Sequence, residues 1–209
     1  MNNLFFGGSS NIALQLAKKF KTTDSVSLKK NNNVYNKIFK IDNYNVSSLN
    51  KLQKKITQKY DNVVIFNGHF SYSFLSTFNS KNFLQDFKIN FLIPMEISSF
   101  VIKKKLLKKN GAIYFISSIA GFEDLIGNAN YSISKNALSF SAKILSNEQN
   151  KRKVRINTIS LGLIKNEMGI RVKKLTNTKK KYNSIKNVIK KITNILNNKK
   201  INKKNIKIL

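Results

Sequence analysis

The chain has 209 residues, of which 41% are hydrophobic and 11% aromatic, too many for a disordered chain and enough for one domain with a substantial core. It contains no cysteine and a single histidine, His69, which excludes disulfides and thiolate metal centres and speaks against a histidine-based zinc site or serine triad. The net charge of +30 invites a nucleic-acid reading, but Arg152, Arg155 and Arg171 are the only arginines and the lysines are spread along the whole chain, so no specific nucleic-acid partner is expected, only charge-driven sticking to polyanions.

In chain order, "MNNLFFGGSS" lacks the basic and apolar regions of a secretory signal and reads as mature protein. "NNLFFGG" (2–8) predicts a strand ending in glycines, and "NIALQLAKKF" (11–20) a helix with an apolar face. "SVSLK" (25–29) and "NKIFKID" (36–42) predict the second and third strands, and "VSSLNKLQKKITQKY" (46–60) a helix, from the spacing of Leu49, Leu52 and Ile56. "NVVIF" (62–66) predicts a short buried strand. Residues 80–109 predict one or two helices interrupted near Pro94, the only proline, and "GAIYFISS" (111–118) a further strand. A helix is expected over 129–149, a strand at "VRINTIS" (154–160), an irregular stretch, a helix over 183–197 and a last strand at "NIKIL" (205–209). No run reaches the roughly 18 apolar residues of a membrane span, so no membrane partner is expected.

Strands alternating with helices imply βαβ units and a parallel sheet covered on both faces. The expected fold is therefore α/β: one Rossmann-type doubly wound domain over 1–209, with 163–182 as a substrate loop and 183–209 as a C-terminal helix and strand.

"FFGGSSNIA" places Gly7 and Gly8 where the first strand turns into the first helix, the place where such sheets hold a dinucleotide pyrophosphate. Glycines let the backbone approach, and Ser9, Ser10 and Asn11 offer donors to phosphate or ribose. An acidic residue about 20 positions further on would hold the ribose of NAD. Here Lys29 and Lys30 stand instead, which suits the 2′-phosphate of NADP unless they are simply solvated lysines. "NANYSISKNAL" puts Tyr131 and Lys135 one turn apart on a helix face, with Ser118 thirteen positions before the tyrosine.

In order along the chain, these fragments resemble the short-chain dehydrogenase/reductase family in its non-extended branch. "GGSSNIA" is similar to its glycine turn, "FNGHF" to its Asn-Asn-Ala-Gly element, "KINFLIPMEIS" to its active-site asparagine segment and "GAIYFISSIAG" to its serine strand. "NYSISKNAL" resembles its Tyr-x-x-x-Lys helix and "VRINTISLGLIKNEM" its Pro-Gly loop, so the likeness covers about 3–170. The resemblance implies an NADP-dependent oxidoreductase, NAD being the lesser choice, that reduces a ketone or oxidises a secondary alcohol. Tyr131 would be the acid–base, Lys135 the cation that lowers its pKa, Ser118 the hydroxyl on the substrate oxygen, and Asn90 a distortion in its helix that holds a relay water. Gly7, Ser9, Ser10, Asn11, Ile12, Lys29, Lys30, Asp42, Asn67, Gly68, Tyr131, Lys135, Gly162 and Ile164 would hold the cofactor. Alternatives stay open at several positions: Ser117 for Ser118, a helix cap for Asn90, turn chemistry for Asp42, and a cofactor-proximal or surface role for His69.

Asn11 and Ala13 replace two glycines of the turn, Phe66 an asparagine, and Leu161 the usual proline. "GNANYSISKNAL" is most similar to β-ketoacyl-acyl-carrier-protein reductases, which implies a small-molecule or carrier-bound carbonyl substrate, a homodimer or homotetramer, and a cytoplasmic enzyme. A nucleotide-sugar or surface-polysaccharide reductase, whose turn often reads Gly-Gly-Ser-Ser, and a non-catalytic cofactor-binding protein of the same fold are the alternatives.

Overall fold

The structure, a computed structural model, describes residues 1–29 and 34–209. Seven strands form one all-parallel sheet in the order β3-β2-β1-β4-β5-β6-β7: β1 (Asn2–Phe6), β2 (Thr22–Ser27), β3 (Ile38–Lys40), β4 (Tyr60–Ile65), β5 (Leu107–Ser118), β6 (Arg155–Leu161) and β7 (Asn205–Ile208). The helices between them are α1 (Asn11–Ala17), α2 (Val46–Gln53), α3 (Ser80–Phe87), α4 (Ile93–Lys103), α5 (Ala129–Glu148), α6 (Glu167–Thr176) and α7 (Ile185–Asn197).

Successive strand residues point to opposite faces, so the central strands must be apolar on both. Leu4, Phe6, Val63, Ile65, Ile113 and Phe115 pack against Leu49 and Leu52 of α2, Ile97 and Val101 of α4 and Leu138 of α5. Their neighbours Phe5, Val64, Tyr114 and Ile116 pack against Leu16 of α1 and Val188, Ile189 and Ile192 of α7. Strand order reverses between β1 and β4, and at such a switch point the loops leaving the strands part to form a crevice.

Several predicted boundaries move, each for a physical reason. β2 runs over 22–27 rather than 25–29, because "TTDSVS" is a polar strand whose Thr23, Asp24, Ser25 and Ser27 are buried. The helix expected over 46–60 ends at Gln53, and Tyr60 instead opens β4, fully buried, with its hydroxyl donating to Asp24 (2.8 Å). β5 begins at Leu107, not 111; its first turn "LKKN" is mostly exposed and bends at Asn110 (φ 60°), which apolar patterning cannot register. Pro94 does not interrupt the helices. It lies in the first turn of α4, where a missing N–H costs nothing, and the break is a π-helical turn over Lys88–Leu92. The stretch read as irregular contains α6, capped by Asn166, whose side chain accepts from the Gly169 amide (2.9 Å).

Candidate active site

A cavity of about 460 Å³ opens at the ends of β1, β4, β5 and β6. Ser10, Asn11 and Ile12 line it from the first turn, Phe66 and Gly68 from the loop after β4, Ser118 from the end of β5, Tyr131 and Lys135 from α5, and Gly162 and Ile164 from the loop after β6. Gly7, Ser9, Lys29, Asp42, Asn67 and Asn90 do not line it. Lys29 and Asp42 are exposed beyond β2 and β3, and Lys30 lies outside the described residues.

Gly7 ends β1 at φ 74°, a left-handed conformation that costs glycine little, and its amide bonds the Val26 carbonyl (3.0 Å) and the Tyr44 hydroxyl (3.0 Å). Ser10 caps α1 by accepting from the Ala13 amide (3.2 Å), and Ala13, standing for a glycine, is fully buried against the sheet. α5 has no side-chain cap of its own. Ser73 supplies one, accepting from the Asn130 amide on its hydroxyl (3.0 Å) and from the Ala129 amide on its carbonyl (3.2 Å). This sets the axial position of Tyr131 and Lys135.

Lys135 is 3% exposed; its ammonium donates to the carbonyls of Asn67 (3.3 Å) and Ile116 (3.2 Å) and lies 5.8 Å from the centre of the Tyr131 ring. Burial pushes its pKa down to about 8. Burial pushes the Tyr131 phenol up, and the facing Ser118 hydroxyl offsets part of that. The phenol therefore carries its proton at neutral pH. Ser117 does not compete with Ser118. Its hydroxyl is engaged by the Lys135 carbonyl (3.2 Å) and the Ser139 hydroxyl (2.9 Å).

Asn90 is fully buried in the π-helical turn, so it is no helix cap. Its carboxamide accepts from the His69 amide (2.7 Å) and donates to the His69 carbonyl (2.9 Å). A Cβ on the intervening Gly68 would come within 3.1 Å of the Lys135 ammonium and 3.6 Å of the Asn90 oxygen, so any larger residue there would press on the lysine's tip.

The sequence placed a substrate loop at 163–182 without naming its residues; Met168, Val172, Thr176 and Lys180 line the cavity from α6 and the segment after it, and Lys180 pairs with Glu123. Sequence reasoning missed a buried acid, Asp86 of α3, bonded to His69. Nothing in composition or spacing marks this aspartate as buried. Among the described residues no group of three His, Cys, Asp or Glu side chains could hold a metal, and no helix is long and apolar enough to cross a membrane.

A family model for short chain dehydrogenases matches residues 5–180. A 3-oxoacyl-acyl-carrier-protein reductase, FabG, of Rickettsia conorii is 40% identical over 81 residues, 39% of this chain and 32% of the relative, so the match spans about a third of that protein's length. Among solved structures, a short chain dehydrogenase family protein from Francisella tularensis superposes with TM-score 0.86 at 16% identity, covering 99% of this chain and 96% of that one. A 4-hydroxyisoleucine dehydrogenase complexed with NADH gives TM-score 0.79 at 22% identity, over 100% and 96%. At these identities the structural likeness speaks for the fold alone.

Proposed function

The chain belongs to the short chain dehydrogenase family, and from that premise we propose that it is an NADP-dependent oxidoreductase that reduces a ketone of the 3-oxoacyl type. The observation that carries this reading is the convergence of Ser118, Tyr131 and Lys135 on one cavity that the glycine turn also enters, with Asn90 directly behind Gly68. The residues present fit a dinucleotide. Asn67 and Asn128 each keep a buried side-chain oxygen without a protein partner near the cavity, and such atoms need a ligand or water.

When bound, the cofactor supplies the hydride; the chain's own groups do the rest. Ser10, Asn11, Ile12, Gly162 and Ile164 would hold its phosphates and nicotinamide, Asn67, Gly68 and Lys135 its ribose and Asp42 its adenine. Lys29 would face a 2′-phosphate. Tyr131, kept protonated by burial, gives its proton to the carbonyl oxygen, while the Ser118 hydroxyl donates to the same oxygen and holds it in place. Lys135 stabilises the phenolate left behind, and Asn90 keeps the path from Lys135 to solvent in register.

The substrate class rests on the matched relative and on the cavity's lining, which includes the apolar Ile119, Leu125, Met168 and Val172 and the cations Lys180 and Lys181, suited to an acyl chain delivered by an acidic carrier. We read 1–209 as one domain, 163–182 as its substrate loop, and the protein as cytoplasmic. Ile133, Phe140 and Ile144 form an exposed apolar stripe on α5, which supports a homodimer or homotetramer. Fluorescence titration with NADPH and NADH tests the reading: NADPH should bind more tightly, and failure of both to bind would refute it.

A further inference from the structure

α3 turns a single residue into the protein interior, and that residue is an acid: Asp86, 2% exposed. A buried carboxylate is costly unless its oxygens are well satisfied. Here one oxygen accepts from the His69 ring nitrogen Nδ1 (2.8 Å), and the other from the Ser71 hydroxyl and the Asn130 side-chain nitrogen Nδ2 (3.2 Å). Among the described residues it has no lysine or arginine partner. The set contains serine, histidine and aspartate but is no nucleophile relay, because Ser71 bonds the carboxylate and not the imidazole.

What the three donors have in common is their place in the chain. His69 and Ser71 belong to the segment after β4, and Asn130 directly precedes Tyr131. That same segment carries the Asn67 carbonyl that accepts from Lys135, the His69 backbone that holds Asn90 by two hydrogen bonds, Phe70 stacked edge-on against Tyr131 at 5.8 Å, and Ser73, which caps α5. Segment 67–73 therefore touches Asn90, Tyr131 and Lys135, and Asp86 is the acceptor that fastens it to α3 and α5 together.

We propose that Asp86, with His69 as its main handle, is a positioning residue: it locks segment 67–73 against α5 and thereby fixes Asn90, Tyr131 and Lys135 relative to one another. The role of those three in reduction is the reading given above, and this inference rests on it. The fastening itself is a property of the fold. Asp86→Asn offers one acceptor oxygen where three donors converge, so an amide NH₂ must face at least one of them. His69→Asn keeps a donor, Nδ2, where the imidazole Nδ1 stands; His69→Ala removes it and leaves the backbone bonds to Asn90 available.

The test compares Asp86→Asn, His69→Ala and His69→Asn with the unaltered chain. NADPH oxidation with a 3-oxoacyl thioester should show kcat at least tenfold lower for Asp86→Asn and several-fold lower for His69→Ala, but within twofold of unaltered for His69→Asn. NADPH affinity should weaken by no more than about threefold, because the contacts of Ser10, Asn11, Ile12, Gly162 and Ile164 stay in place while those of Asn67, Gly68 and Lys135 to the ribose loosen. A purely structural loss would instead lower kcat and NADPH-binding capacity in parallel. Amide hydrogen exchange supplies a readout free of activity: the amides of His69, Ser73, Ala129 and Asn130 should exchange faster in Asp86→Asn and His69→Ala while those of β4 and β5 stay unchanged. If the unaltered chain binds no NADPH, the proposed function falls and exchange at those four amides still decides the fastening. Should Asp86→Asn not fold, the His69 pair carries the comparison. Unchanged exchange at the four amides, or His69→Ala matching the unaltered kcat, overturns the proposal.

Discussion

The two ends of the cofactor crevice are built on different terms. At the β5–α5 end, polar groups are buried and each is held by named partners, as with Lys135 between two carbonyls and Asn90 between the two backbone groups of His69. At the β2–β3 end, Lys29 and Asp42 stand in solvent. Proton transfer requires atoms fixed to a few tenths of an ångström, so its residues must recur at set spacings on rigid elements. Selecting a phosphate requires only that positive charge be near, which flexible side chains accomplish and which no spacing records. The contrast predicts that substitutions at the first end act steeply and those at the second act gently.

Ser118→Ala should show a steep effect, about 10²-fold or more in kcat by loss of a donor to the carbonyl oxygen. Ser117→Ala, one position away but turned toward α5, should leave kcat near normal and cost about 1 kcal/mol of stability, read by denaturant titration. Equal effects on kcat would erase the contrast. Lys135→Met should lower kcat strongly and yet stabilise the chain. The lysine's pKa is about 8 when folded and about 10.4 when unfolded, so folding it charged costs up to about 3 kcal/mol. This penalty is present in full below about pH 8 and fades as pH rises toward 10.4. The variant's advantage should therefore be largest at pH 7 and shrink toward pH 10, and the unaltered enzyme's reduction rate should fall as pH rises through about 8.

At the other end, Lys29→Glu should move the preference between NADPH and NADH by about tenfold or less, about 1.4 kcal/mol, measured as a ratio of Kd values. The smallest effect is expected for Glu123→Gln, which breaks the half-exposed pair with Lys180: under about 1 kcal/mol in stability and no change in the NADPH Kd.

Legibility in the sequence follows the same division. That Ser118, Tyr131 and Lys135 meet at one cavity was legible because side chains on rigid elements recur at fixed spacings, and the strand–helix alternation was readable because central parallel strands are apolar on both faces. β2 was misplaced because its buried residues Thr23, Asp24 and Ser25 satisfy the pleat without hydrophobicity. α6 was invisible because the helix is mostly polar and solvated. The extent of burial at Tyr131 and Lys135 was also beyond reach: their adjacency is written in the sequence, but the burial that shifts both groups is made by segments distant in the chain. Asp86 was hidden for the same reason, since an acid on an exposed-looking helix gives no sign of the three donors waiting beneath it.

The most direct test of the central claim is the rate of NADPH oxidation with a 3-oxoacyl thioester by the unaltered chain and by Tyr131→Phe at pH 7. The site described here predicts turnover by the former and a loss of about 10²- to 10⁴-fold in the latter with the NADPH Kd unchanged. Equal rates in the two proteins would contradict the assignment of Tyr131 as the proton donor.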